Sequence, residues 1–243
     1  TIASSIVINS PQNATYNNKT LLVNISSNEA NIWLNWNGTN QNYTFPVYVN
    51  FAEGSNTLYA YANDSAGNLN STNVTFAVDT IAPILSIISP ANQTYGNATV
   101  LINISSNGNN IWFNNDSGAN ESYTLEIYRN FSEGTHIIYA YANDTLGNLN
   151  YTSVTFSVNT SLPSITIISP IAATYNNRTL LVNISSNGQA SWYNWNGTNT
   201  SYISSVYILF SEGSNTLYAY ANNSLGLENS ASIAFTIDTI APN

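Results

Sequence analysis

Apolar and polar residues alternate with a period of two along most of the chain, and no stretch repeats its apolar residues at the helical period of 3.6. In the first eighty residues the alternation predicts strands at residues 6–8, 21–26, 32–37, 47–51, 58–63 and 73–78. Turn-forming Gly, Asn, Asp and Pro residues separate these segments. About seven short strands, spaced by about 8–12 residues, predict an antiparallel β-sandwich.

The same pattern is written three times. A Ser-Pro pair marks each copy, at Ser10-Pro11, Ser89-Pro90 and Ser169-Pro170, so the copies are offset by 79 and 80 residues. A unit of this length is a small domain, because solenoid repeats have periods of roughly 20–50 residues. The sequence therefore predicts three tandem domains, covering residues 1–79, 80–159 and 160–243.

The joints between these domains are short. The last predicted strand of the first copy leads through Asp79-Thr80-Ile81-Ala82-Pro83 directly into the next domain, and proline restricts this linker. We therefore expect stiff end-to-end domains in a rod on the order of 100 Å long. Thr1, Thr80, Thr160 and Thr239 are equivalent positions, so we expect the chain to be cut from a longer array or to continue into a neighbouring subunit.

Composition excludes several functions. Twelve acidic and three basic residues give a net charge of −9, which argues against a nucleic-acid footprint. No apolar run approaches the roughly 20 residues that a membrane-spanning helix needs, so no membrane insertion is expected in this segment. Cysteine is absent, and the lone His136 takes the place of Asn56 and Asn215 in the other copies, as a tolerated loop substitution. The sequence therefore predicts a protein that is not an enzyme.

Asparagine sequons are abundant. Twenty-two Asn-Xaa-Ser/Thr acceptors occur, whereas only 6% of the residues are charged. Chance in an Asn-, Ser- and Thr-rich chain is one explanation, and an exported glycoprotein whose sugars supply its solubility is the other. We predict an extracellular glycoprotein with N-linked glycans. The predicted glycosylation sites are Asn24, Asn63, Asn73, Asn103, Asn143, Asn183 and Asn222.

One set of landmarks carries a family resemblance. Trp33, the segment Glu53–Leu58, the turn Ala62–Asn68 and the segment Phe76–Pro83 resemble the tandem immunoglobulin-like repeats of prokaryotic surface proteins. The Asn- and Thr-rich character, with Trp36-Asn37-Gly38-Thr39, is especially similar to archaeal cell-surface glycoproteins. The resemblance implies an all-β immunoglobulin-like fold on the cell surface, where such repeats serve as stalks, adhesins, surface layers and filament subunits.

Carboxylates near the joints are candidate metal ligands. In a sandwich of this topology Glu53 and Asp79 lie at one pole, and stacking brings them near Asp144 of the next copy. Clustered carboxylates repel each other and favour a cation, and some repeats of the resembled family bind calcium at their joints. A calcium site of Glu53, Asp79 and Asp144 is thus one prediction. The alternative is that the Asp64-type acids hydrogen-bond their own turns and Asp79 starts the linker.

Aromatic residues form a candidate interaction surface. If Leu58, Ala60 and Ala62 face the core, Tyr59 and Tyr61 face outward. If Trp33 is the core tryptophan, Leu34 and Trp36 face outward too. Subunit packing, cover by the chain's own glycans, foreign carbohydrate, or the mere suitability of aromatics for exposed strands would each explain the pattern. The predicted interface residues are Trp36, Tyr59, Tyr61, Tyr139, Tyr141, Trp195, Tyr218 and Tyr220.

These observations predict a structural, glycosylated repeat of an extracellular stalk or filament. Its expected partners are copies of itself, packed head-to-tail or laterally. No cofactor is required apart from the predicted glycans and calcium. The alternative is an adhesin or carbohydrate-binding module that binds glycans of a host or neighbouring cell.

Overall fold

The computed structural model describes residues 5–241, which are all strand or loop; Thr1 lies outside this range. The first copy forms eight strands: β1 (Ile6–Ser10), β2 (Thr15–Tyr16), β3 (Thr20–Ser27), β4 (Asn31–Asn35), β5 (Gln41–Tyr43), β6 (Val47–Asn50), β7 (Gly54–Asn63) and β8 (Leu69–Val78). The second forms β9 (Leu85–Ser89), β10 (Thr94–Tyr95), β11 (Thr99–Ser106), β12 (Asn110–Asn115), β13 (Glu121–Ser122), β14 (Ile127–Asn130), β15 (Gly134–Asn143) and β16 (Leu149–Val158). The third forms β17 (Ile165–Ser169), β18 (Thr174–Tyr175), β19 (Thr179–Ser186), β20 (Ala190–Asn194), β21 (Thr200–Ser201), β22 (Val206–Leu209), β23 (Gly213–Asn222) and β24 (Glu228–Ile237).

Each copy builds a three-stranded and a five-stranded sheet with the same strand order. In the first copy the orders are β1-β3-β6 and β2-β8-β7-β4-β5. The long strands pair antiparallel, whereas the two-residue β2 runs parallel to β8. The prediction of three tandem immunoglobulin-like β-sandwiches is confirmed.

The longer strands lie where the alternation predicts them, but the short strands β2 and β5 were not predicted. β2 and β5 hold two and three residues, which is too short for a period of two to be visible. β4 ends at Asn35 and not at Asn37, because a turn begins there: Gly38 has a positive φ of 86° and its amide donates to Asn35 Oδ1 at 2.9 Å. Glycine adopts this conformation without a steric penalty.

The contacts within the chain form two compact units. The first takes in the chain up to Ile88 with Asn103–Glu126 and Ile138–Ser153, and the second takes in Ser89–Ile102, Ile127–Ile137 and the chain from Val154 onward. The middle copy thus contributes to both units. The domain boundaries after residues 79 and 159 stay a prediction.

The core of the first copy follows the predicted inward positions. Leu58, Ala60 and Ala62 on β7 are fully buried. Phe51 packs edge-to-face on Phe76 with ring centroids 4.8 Å apart. Phe131 with Phe156 and Phe210 with Phe235 repeat the contact at 4.9 and 4.8 Å. Burying such a side chain stabilises the fold by about 1.5–3 kcal/mol, so this aromatic pair anchors every copy.

The predicted orientation of Trp33 is wrong. Leu34 pairs with Ala60 across β4 and β7 and is only 2% exposed, whereas Trp33 pairs with Tyr61. Directly paired residues share a face of the sheet, so Leu34 enters the core and Trp33 stands on the outer face. Phe113 and Tyr193, which are equivalent to Leu34, are buried as well.

Candidate functional site

A glutamate fastens the start of the linker in each copy. Glu53 accepts hydrogen bonds from the Thr80 amide and hydroxyl, both at 2.8 Å, and Lys19 Nζ lies 3.2 Å from its carboxylate. Glu212 holds Thr239 in the same way at 2.8 Å, and Glu133 holds Thr160. The bond from the Thr80 amide lowers the pKa of Glu53 below its ordinary value.

The pKa values of the two equivalent glutamates are also lowered. The Thr160 hydroxyl is the largest cause for Glu133, and the Thr239 amide is the largest cause for Glu212. Since hydrogen bonds to the ionised form cause all three shifts, the charged carboxylate is the form that holds the linker.

An aspartate organises the turn after the seventh strand. Asp64 accepts hydrogen bonds from the amides of Ala66 and Asn68 at 2.9 and 2.8 Å and from Asn68 Nδ2 at 2.7 Å, and the Asn68 side chain is the main reason why the pKa of Asp64 is lowered. Asp144 makes the same three bonds with Leu146 and Asn148 at 2.9, 2.9 and 2.8 Å. Burial raises the pKa of Asp144, but the hydrogen bonds from Asn148, Leu146 and Gly147 together outweigh it, so the net shift is downward.

The structure does not assemble the predicted calcium ligands into a metal centre. Glu53 is engaged with Thr80, Asp79 Oδ1 accepts from the Ile81 amide at 3.1 Å, and Asp144 closes its own turn. Within residues 5–241, no three Asp, Glu or His side chains are grouped so that they could hold a metal ion. The arrangement agrees with the alternative, in which Asp64 and Asp144 bond their own turns and Asp79 starts the linker. Calcium binding by Glu53, Asp79 and Asp144 stays a prediction.

Side-chain amides tie the first joint together. Asn150 Nδ2 donates to the Pro83 carbonyl at 2.9 Å, and Asn148 Nδ2 donates to the Asp79 carbonyl at 2.8 Å. In the opposite direction, Asn17 Nδ2 donates to the Leu146 carbonyl at 2.9 Å. The turn of the second copy thus rests on the linker and on a loop of the first.

The second joint keeps one of these hydrogen bonds and replaces the other two contacts. Asn229 Nδ2 donates to the Pro163 carbonyl at 2.9 Å, as Asn150 does to Pro83, and Asn223 Nδ2 donates to the Ser161 carbonyl at 3.0 Å. Gly96, which is equivalent to Asn17, faces Leu225 and Leu227, and a Cβ added at Gly96 would lie 3.3 Å from Leu227 Cδ2. Sequence reasoning missed the amides of Asn150 and Asn229, although an asparagine two residues after the turn recurs at position 70 of the first copy.

The outer face of each five-stranded sheet carries a stacked Trp–Tyr pair. The ring centroids of Trp33 and Tyr61 lie 5.6 Å apart with planes inclined by 11°. The same stack, with centroids 5.6 and 5.7 Å apart, joins Trp112 to Tyr141 and Trp192 to Tyr220. Sequence reasoning missed these three tryptophans because it assigned Trp33 to the core.

The predicted interface tyrosines lie on this outer face. Tyr59 and Tyr218 are 43% and 45% exposed, and Tyr61, Tyr139, Tyr141 and Tyr220 are half-buried. Their outward orientation agrees with the alternation of β7, β15 and β23, while their role as an interface stays a prediction.

Trp36 and Trp195 do not join this surface. Trp36 packs edge-on against the core ring of Phe51 at 6.2 Å, and Trp195 packs against Phe210 at 5.0 Å. The outward orientation of both was predicted from the position of Trp33, and it is wrong for the same reason. β4 and β20 also end before these tryptophans, so strand alternation no longer fixes their direction.

The predicted glycosylation sites differ in accessibility. Asn73 is exposed on β8, whereas the other six asparagines are half-buried. Asn63 accepts a hydrogen bond from Asn31, and Asn143 accepts one from Asn110 at 3.0 Å. Glycosylation stays a prediction, and Asn73 is its most accessible site among these seven.

His136 performs a structural task. Its Nε2 lies 2.9 Å from the Ser132 carbonyl, and its ring packs on Phe131 with centroids 5.0 Å apart. Asn56 Nδ2 and Asn215 Nδ2 donate to the equivalent carbonyls at 2.8 Å. The equivalence of these three positions is confirmed, but His136 lies buried in β15 and not in a loop.

A cleft that the sequence did not predict opens at the edge of the first sandwich. Its volume is about 490 Å³, and it lies between the edge strands β5 and β6. Trp36, Phe45 and Tyr48 are among the residues that line it. β5 was not predicted, so nothing in the alternation placed these residues together.

No protein-family model matches the chain, and neither does any curated protein. In the described part of the chain, no helix is long and apolar enough to cross a membrane. Among solved structures, the chain is similar to the fibronectin(III)-like modules of CbhA from Clostridium thermocellum, with a TM-score of 0.35 and 18% identity over 64% of this chain and 94% of that one.

Two further solved structures resemble the chain. Immunoglobulin domains 1–5 of Sidekick-1 give a TM-score of 0.39 and 13% identity over 97% of this chain, which spans 59% of that structure. A Ca²⁺-stabilised adhesin that helps an Antarctic bacterium bind ice gives a TM-score of 0.39 and 15% identity over 99% of this chain and 75% of that one.

Proposed function

We propose that the chain is a non-catalytic structural segment of an extracellular stalk or filament, glycosylated at exposed sequons. The observation that supports this most directly is the repeated contact at the joints. Asn150 reaches Pro83, and Asn229 reaches Pro163, both at 2.9 Å. A tandem protein that bears tension or keeps a spacing needs such reinforcement between its domains.

The chemistry of the joints suits an exposed location. Most of the joint contacts described above are amide–carbonyl hydrogen bonds, and at the second joint Gly96 faces the apolar side chains of Leu225 and Leu227. Salt screens charge pairs but leaves neutral hydrogen bonds and apolar contacts largely intact. The joints are therefore expected to hold over a wide range of ionic strength.

The partners proposed for this segment are copies of itself, aligned head-to-tail or laterally. Immunogold electron microscopy of the source cells, with an antibody raised against the chain, tests the proposal. We expect label along extracellular stalks or filaments. Label confined to the cell interior would overturn the proposal, and a diffuse secreted pool without cell-bound label would overturn the structural role.

A further inference from the structure

The cleft between β5 and β6 has the form of a ligand site. Its volume of about 490 Å³ falls in the range of about 300–1,000 Å³ that is common for ligand pockets. Leu34 and Tyr43 are among its lining residues and are 2% and 5% exposed. The Tyr43 hydroxyl accepts a hydrogen bond from the Ile25 amide at 2.9 Å, which holds this ring in place.

Two aromatic rings at the rim are open to solvent. Phe45 and Tyr48 are 69% and 71% exposed. No other aromatic ring of the described residues stacks on them, in contrast to Tyr61, which is covered by Trp33. An apolar ligand face that covered these rings would remove apolar surface from water.

The polar groups of the cleft are uncharged. Gln41, Asn42 and Asn50 supply exposed side-chain amides, which both donate and accept hydrogen bonds. None of the lining residues is Asp, Glu, Lys, Arg or His. A charged ligand would lose hydration without gaining a counter-charge, so the cleft selects a neutral, hydroxyl-rich molecule with apolar patches.

We propose that this cleft binds a neutral saccharide. The C–H face of a sugar ring packs on Phe45 and Tyr48, and the sugar hydroxyls exchange hydrogen bonds with the amides of Gln41, Asn42 and Asn50. Binding at this site is a function in addition to the structural role and does not depend on it.

The other copies lack this combination. In the third copy the equivalents of Phe45, Gln41 and Asn50 are Ser204, Thr200 and Leu209. The second copy has Glu126 and Arg129 in the corresponding loop and strand, which introduces charge. Of the two rim rings, only Tyr48 recurs, as Tyr128 and Tyr207. The saccharide site therefore belongs to the first sandwich.

Such a saccharide has two sources, because Asn37 and Asn42 at the cleft each begin a sequon. It is either a glycan of another molecule or a sugar attached to this chain. Both sources present the same chemistry to the aromatic rings and amides, and glycosylated and unglycosylated preparations distinguish them.

The experiment uses the full chain produced without glycosylation, labelled with a fluorophore and applied to an array of neutral, sialylated and sulfated glycans. We expect binding to neutral glycans, with the strongest one then titrated as a free oligosaccharide by calorimetry. Tyr48→Ser is expected to weaken this binding on the order of tenfold, since it removes one stacking ring. Tyr207→Ser removes a tyrosine of nearly the same exposure, 70% against 71%, from the third copy and should leave binding unchanged.

Three outcomes would overturn the site: no binding to any neutral glycan, a preference for acidic glycans, or equal losses from Tyr48→Ser and Tyr207→Ser. Matching melting temperatures of the two variants exclude unfolding as the cause of a loss. A glycosylated preparation identifies the source. The double variant Thr39→Val and Thr44→Val removes both sequons and keeps Asn37 and Asn42. If the glycosylated chain loses array binding and this variant restores it, the site holds the chain's own sugar, whereas unchanged binding of the glycosylated chain assigns the site to an external glycan.

Discussion

At the residue scale, the clearest recurring device is a carboxylate that holds the backbone of the linker. Glu53, Glu133 and Glu212 each accept the amide and hydroxyl protons of a threonine 27 residues further on. Hydrogen bonds that favour the ionised form lower the pKa of all three. Stability therefore depends on these groups being charged.

This dependence predicts an acid-sensitive fold. A carboxylate whose pKa is lower in the folded state stabilises above the unfolded pKa of about 4.3, and the contribution is lost as the pH falls through the folded pKa. We expect the melting temperature to fall between about pH 5 and pH 3. The triple variant Glu53→Gln, Glu133→Gln and Glu212→Gln should have a lower melting temperature at pH 7 than the unmodified chain. Its melting temperature should also fall less on acidification, as measured by calorimetry.

Glu228→Gln is the matched control, because Glu228 is exposed on β24 and holds no linker threonine. Its pH profile should follow that of the unmodified chain. Parallel pH profiles for the triple variant and the unmodified chain would contradict the assignment.

The limits of sequence reasoning are visible in individual residues. Alternation placed Leu58, Ala60 and Ala62 in the core correctly, because β7 is a long regular strand. It misplaced Trp33, because alternation gives the period of a strand but not which of its two faces is buried. The pairing of Leu34 with Ala60 decides that, and it is a contact between distant parts of the chain.

At the element scale, the stacked Trp–Tyr pairs stabilise the outer face of each five-stranded sheet. Trp192 and Tyr220 face each other on β20 and β23, with planes inclined by 10°. Such a pair contributes about 0.5–1.5 kcal/mol beyond the burial of its area.

A double-mutant cycle of Trp192→Ala and Tyr220→Ala measures this contribution. We expect a coupling of about 1 kcal/mol in the local stability of β23, read from native-state hydrogen exchange. Trp192 with Tyr207, which lie on different sheets, is the control cycle and should show coupling near zero. Equal couplings in the two cycles would show that the stack adds nothing.

The joint amides give a second prediction for an element. Asn150→Ala removes the donor to the Pro83 carbonyl, and Asn229→Ala removes the donor to Pro163. Each loss should cost about 0.5–1.5 kcal/mol of local stability. Hydrogen exchange of residues 79–85 should accelerate in the first variant, and that of residues 159–165 in the second.

Asn70→Ala provides the control, since Asn70 occupies the same place in the turn of the first copy. It should leave the exchange of both linkers unchanged. If Asn150→Ala also leaves residues 79–85 unchanged, the amide does not reinforce the joint.

At the scale of the whole molecule, the repeat predicted the three sandwiches, while the sequence did not reveal the contacts that join them. A period of 79 or 80 residues is visible without any structure. By contrast, the side-chain hydrogen bonds of Asn148 and Asn150 connect residues that are 69 and 67 positions apart in the chain. They depend on how one copy meets the next, which no local pattern encodes. The cleft escaped prediction for the same reason, because β5 and β6 are edge strands of two different sheets, and only the tertiary fold brings them together.

Mechanical unfolding distinguishes three folding units from two. The repeat predicts three sandwiches, whereas the contacts within the chain group it into two compact units that share the middle copy. If each sandwich folds as its own unit, pulling the full chain by its ends in a force spectrometer should give three separate events. Each releases about 80 residues, which lengthens the chain by about 25 nm.

Two events with unequal increments would show instead that the middle copy unfolds together with its neighbours. The double variant Asn150→Ala and Asn229→Ala shows how the joints affect this count of events. If the joints only align independent sandwiches, the three increments stay at about 25 nm while the linkers exchange faster. If the joints make the middle copy part of its neighbours, removing these amides should turn two unequal events into three equal ones. Each of these hydrogen bonds has a net contribution of about 1 kcal/mol. The number of unfolding events therefore shows whether such bonds only reinforce a chain of separately folding domains or join the domains into larger cooperative units.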